Sequence, residues 1–160
     1  QMEGATRMDY KIEQMDAFTV VGVEESFQMD NSMQEIPKFW AEFFQKGMNE
    51  KVCPVFGICF DADESGKFPY LIGDMLKSGV EVPQGLTTRV IPAHLWARFV
   101  CKGPMPGAIQ NVTKQVYSEW LPTNGTYEVA QYMEIEMYSD GDTTSPDYYS
   151  EVWIPVKKKA

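Results

Sequence analysis

Apolar and polar positions alternate with two distinct periods along this chain. Residues 17–24 (AFTVVGVE) are rich in β-branched side chains and predict a strand. Ile36, Phe39, Trp40, Phe43 and Phe44 then recur at helical spacing behind an acidic first turn, with Gly47 as the stop. Residues 54–63 (PVFGICFDAD) predict a further strand, the DESG segment at 63–66 a turn, and residues 68–73 the returning strand. The order then repeats. Residues 89–101 (RVIPAHLWARFVC) predict a strand bent at Pro92, and Ile109, Val112, Val116, Tyr117 and Trp120 form a second helical stripe closed by Pro122 and Asn124-Gly125. Residues 132–138 and 149–156 predict the final strand pair, across a loop of Gly, Asp, Thr, Ser and Pro. Residues 1–10 lack any such pattern and are expected to be a flexible leader to a domain over 11–160.

An offset of 77 residues relates much of the two halves. It maps Phe39 and Trp40 onto Val116 and Tyr117, and Phe56, Ile58 and Phe60 onto Met133, Ile135 and Met137. Conserved apolar parity at a fixed offset is the signature of an internal repeat. The expected fold is therefore α+β: two strand-helix-strand-strand units, about 14–80 and 86–158, sharing one antiparallel sheet with two main helices. Glu134 and Glu136 correspond through the same offset to Gly57 and Cys59. Small residues in one half opposite acids in the other imply a ligand groove between the halves.

The most informative segment is residues 132–138 (YMEIEMY). Alternation sets Met133, Ile135 and Met137 on one face, with Tyr132, Glu134, Glu136 and Tyr138 on the other. The last strand divides Ser150, Val152, Ile154 and Val156 from Tyr149, Glu151, Trp153 and Pro155. If the apolar sets pair, the opposite face gathers three glutamates, three tyrosines and a tryptophan. A lone strand glutamate is ordinarily just solvated. Dense aromatics among acids are different. Exposed rings forgo about 1.5–3 kcal/mol each in burial, while a covered carboxylate without a partner is costly. An amphipathic organic cation relieves both, since the rings take its flat body and a glutamate its charge.

Composition narrows the function classes. With 14 basic and 23 acidic side chains the net charge is −9, which disfavours a phosphate backbone as partner. The 4 Trp, 8 Tyr and 9 Phe exclude a disordered chain, and no run of eighteen apolar residues exists to span a membrane. Cys53, Cys59 and Cys101 lack metal-ligand spacing and read as small core residues of a reduced, cytoplasmic protein. His94 stands as the single histidine, with no zinc or Ser-His-Asp context. Neither a metal nor a cofactor is expected.

The repeated order, together with Lys102-Gly103-Pro104, a helix leading to Glu119 through Pro122, the Glu136-Met-Tyr138 segment and the ending EVWIPV at 151–156, resembles the effector-binding domain family. That family is shared by the DNA gyrase inhibitory protein and by AraC-type and multidrug-responsive regulators. The resemblance covers about residues 10–158 and is strongest to free-standing drug-binding members, because no helix-turn-helix pattern precedes the domain. It implies a ligand-contacting glutamate at Glu136, a second acid at Glu151 and an aromatic at Trp153. Tyr138, Tyr149, Glu134 and Trp40 complete the expected binding set, Trp40 also fitting a core position. The implied function is sensing or sequestering amphipathic cations, without direct nucleic-acid or membrane binding, in a chain fused to or associated with a regulator. Hydrolysis of strained electrophilic molecules, or a gyrase-inhibitor-like protein contact, is the alternative the same resemblance offers.

Overall fold

A computed structural model describes residues 8–160. Strands β1 (Tyr10–Met15) and β2 (Phe18–Gln28) lead into α1 (Ser32–Gln45) and a short 3-10 turn (Met48–Glu50). A hairpin of β3 (Phe56–Cys59) and β4 (Lys67–Met75) follows, then β5 (Thr87–Ile91) and β6 (His94–Lys102). α2 (Gly107–Gln115) continues through a π-helical stretch (Val116–Trp120) into a last α-turn (Leu121–Thr123). The chain closes with β7 (Tyr127–Val129), β8 (Glu134–Tyr138) and β9 (Tyr149–Lys158).

All strands pair antiparallel in one sheet of order β1-β6-β9-β8-β3-β4-β2-β5, with β7 pairing the end of β9 beyond β8. The order reads alike from either side of the β3–β8 contact: β8, β9, β6 on one flank mirror β3, β4, β2 on the other. At that junction Ile58 faces Ile135, the pair related by the 77-residue offset. The fold is thus the expected α+β duplication.

Both helices cover the same face of the sheet. Phe39 and Phe43 of α1 pack on Val21, Phe27, Phe68, Tyr70 and Ile72, while Ile109, Val116 and Trp120 cover Ala97, Phe99, Val152 and Ile154. Burying such large side chains contributes roughly 1.5–3 kcal/mol apiece. The opposite face builds its own core from Val20, Leu71, Ile91, Trp96, Ile135 and Trp153. These residues come from six strands, so the sheet curls around them. Gly22 and Gly73 pair within this face, and a Cβ on either would overlap the other strand's backbone. Their close approach lets β2 and β4 cross tightly.

Three elements differ from the sequence expectation. Residues 89–101 form two strands rather than one: β5 pairs β2, whereas β6 pairs β1 and β9. The segment around Pro92 carries the chain from one half to the other. β1 was not anticipated, because its sequence YKIEQM carries charges on a sheet edge. Of the expected leader, Tyr10 already belongs to β1, and residues 1–7 lie outside the described residues.

Candidate ligand-binding cleft

Between α1 and the beginning of α2 the helical layer parts, leaving a cleft of about 670 Å³ over β4, β3 and β8. This is the groove expected at the junction of the halves. Strand alternation presents Glu134, Glu136 and Tyr138 to it from β8, Gly57 and Cys59 from β3, and Tyr70 from β4. α1 adds Trp40 and Phe44 from its cleft-facing side.

A short hydrogen-bonded chain holds the centre. Trp40 donates its Nε1–H to the Tyr70 hydroxyl at 2.9 Å, and Tyr70 donates to Glu136 Oε1 at 3.4 Å. Tyr138 donates to the same oxygen at 2.6 Å and sets its ring edge-on to Trp40, 5.2 Å between centroids. Gly57 is opposite Glu136 on the neighbouring strand, and a methyl there would overlap the Tyr70 hydroxyl. Glycine at this position is what lets the phenol reach the carboxylate. Tyr117 similarly donates to Glu134 Oε1 at 3.2 Å.

Neither carboxylate has a cationic partner among the described residues. Burial pushes the Glu136 carboxyl up to about 7; the Tyr138 hydrogen bond opposes this, the Glu134 charge adds to it, and the Tyr70 bond opposes it further. Burial likewise raises Glu134, against the Tyr117 bond. The Cys59 thiol, desolvated and flanked by both glutamates, is pushed up to about 12 and stays protonated. The site is therefore aromatic, acidic and short of positive charge. No three His, Cys, Asp or Glu side chains group as a metal site among the described residues.

The sequence-derived set divides in two. Glu134, Glu136, Tyr138 and Trp40 meet in the cleft, whereas Glu151, Trp153 and Tyr149 do not line it. The reason is register: β8 and β9 pair Ile135 with Trp153, Glu136 with Val152 and Met137 with Glu151. Directly opposed residues share a face, so the two apolar sets fall on opposite faces, contrary to the expected pairing. Glu151 instead faces away from the helices. It receives Arg98 Nε–H at 2.9 Å, Trp153 Nε1–H at 2.7 Å and the Tyr149 hydroxyl. Burial pushes this carboxyl up, but those three donors outweigh it and hold the group below its ordinary value.

Tyr70, Cys59 and Tyr117 were missed as site residues. The apolar neighbours of Tyr70 in β4 disguise its hydroxyl, although its phase with Phe68 and Ile72 was available from the alternation. Cys59 lines the cleft and Cys53 is exposed, so only Cys101 fits the expected core role. Trp96 and Trp120 are core residues, and His94 Nε2 lies 2.7 Å from Gln131 Oε1 at the start of β6.

A duplicated sheet with an aromatic, acid-floored cleft under paired helices defines a protein of the effector-binding class. The model of Cass2, the integron-associated effector binding protein, matches residues 11–156, and the chain belongs to that family. It is 26% identical over 156 residues to the transcriptional regulator BrlR of Pseudomonas aeruginosa, covering 93% of this chain but 56% of that regulator. The chain thus spans little more than half the length of that relative. Among solved structures, SAV2435 bound to tetraphenylphosphonium superposes with a TM-score of 0.82 at 25% identity, covering 94% of each chain. A transcription regulation protein of Staphylococcus aureus MU50 gives 0.79 at 26% identity, over 94% of this chain and 99% of that one. No helix among the described residues is long and apolar enough to cross a membrane.

Proposed function

We propose that the cleft binds amphipathic organic cations, with Glu136 countering the charge and Trp40, Tyr70 and Tyr138 surrounding the apolar body. The observation that carries this reading is a carboxylate walled by aromatic rings and served only by phenol donors, beside an open cleft. Its Oε2 makes no hydrogen bond with a described residue. A buried acid in that state gains most from a guest that brings positive charge. The tetraphenylphosphonium held by SAV2435, a bulky lipophilic cation, supports the same ligand class.

Such a chain senses or sequesters its ligand in the cytoplasm. With a net charge of −9 it leaves nucleic-acid contact to a fused or associated regulator. Titration with tetraphenylphosphonium, followed by calorimetry, tests the reading. Wild-type protein binds, Glu136→Gln loses about 1–3 kcal/mol of affinity, and a dye cation such as a rhodamine quenches the fluorescence of Trp40. A neutral compound of the same shape binding as tightly as the cation would overturn it.

A further inference from the structure

A second cavity of about 480 Å³ adjoins the first, and the two share Ser32, Cys59, Phe68 and Glu134 in their walls. Glu136, bonded by Tyr138, faces the larger compartment only, whereas Glu134, bonded by Tyr117, stands in the shared wall and faces both; the smaller compartment also has the exposed Asp61 at its margin. Tyr132 and Phe60 supply further aromatic wall to the smaller one. The second oxygen of each carboxylate makes no hydrogen bond with a described residue, and no lysine or arginine lines either compartment.

We propose that the preferred ligand is an elongated aromatic dication, with one cationic centre at Glu136 and the other at Glu134. This rests on the cation-binding reading above and names the ligand class within it. Glu134 and Glu136 are alternate residues of one strand, so they are about 6.6 Å apart along β8 and face the same way. A compact single charge reaches one of them and leaves the other uncompensated in an apolar wall. A flat guest with two charges at that spacing answers both, its spacer crossing the shared wall at Cys59 and Phe68.

A matched pair of probes separates the two ideas. 1,1′-Dimethyl-4,4′-bipyridinium and N-methyl-4-phenylpyridinium have nearly the same shape, but the first carries two charges and the second one. The proposal predicts that wild-type protein binds the dication at least about tenfold more tightly at fixed ionic strength. Glu134→Gln should cut that preference to about twofold or less, with an unchanged circular dichroism spectrum and cooperative melting transition certifying an intact fold. Glu64→Gln, on the exposed 63–66 turn, should keep the full preference, excluding a general effect of net charge. Equal wild-type affinities, or a preference that survives Glu134→Gln, would overturn the dication assignment and leave monocation binding standing. Failure of both probes to bind would overturn both.

Discussion

Glu136 and Glu151 are partly and almost fully buried acids on adjacent strands of one sheet, yet the protein treats them in opposite ways. Glu151 on β9 is 4% exposed and saturated by Arg98, Trp153 and Tyr149. Arg98 itself reaches Glu13 at 2.7 Å and stacks 4.4 Å over the Trp153 ring. Glu136 on β8 has two phenols and, among the described residues, no cation. One carboxyl is consequently held low and the other raised to about 7. An acid whose every need is met inside the protein contributes to the fold and has nothing to offer a ligand. An acid denied a counter-charge beside a cleft is the one equipped to take it from outside.

The contrast breaks most sharply at Arg98. Arg98→Met should destabilise the protein by about 3 kcal/mol, because it leaves Glu151 charged and without a cation in the interior. Denaturant unfolding measures this, and the folded fraction should still bind cations at the cleft. A loss of stability under 1 kcal/mol would remove the distinction.

Glu136→Gln should do the reverse. A carboxyl raised from 4.5 to about 7 on folding takes up a proton between those values, so its contribution to stability falls as pH rises through that window. The variant should match wild type below pH 4.5 and exceed it above pH 7 by about 1–3 kcal/mol, as read from paired melting curves. The smallest expected effect belongs to Tyr138→Phe. Removing the closer of two donors should raise the Glu136 carboxyl further and weaken cation binding at pH 7 by about 0.5–1.5 kcal/mol. An unchanged pH profile of binding would mean that this phenol does not tune the acid.

Much of this is legible in the sequence. Alternation in 132–138 placed Glu134, Glu136 and Tyr138 on one face, the helical stripe carried Trp40, and the 77-residue offset matched the small Gly57 and Cys59 of one half to Glu134 and Glu136 of the other. β9 was not legible in the same way. Ser150 through Val156 are all buried, since α2 covers one face of the strand and the Trp96 cluster the other. A strand buried on both sides carries no inside-outside signal, so its register against β8 was free to be off by one. That single step moved Glu151 and Trp153 from the expected ligand site to the far face. Arg98 is the clue to this in the sequence: a guanidinium amid the apolar residues of β6 needs an acid, and Glu151 is its diagonal neighbour on the adjacent β9.

The most direct test follows the proton that a guest cation should expel. Tetraphenylphosphonium has no ionisable group, so calorimetry at pH 7 in buffers of different ionisation enthalpy counts protons released by the protein alone. With Glu136 near its midpoint there, binding should release about half a proton, and Glu136→Gln should release almost none. Tight binding to wild type with no proton released, or the same release from the glutamine variant, would contradict the assignment of the ligand's charge to Glu136.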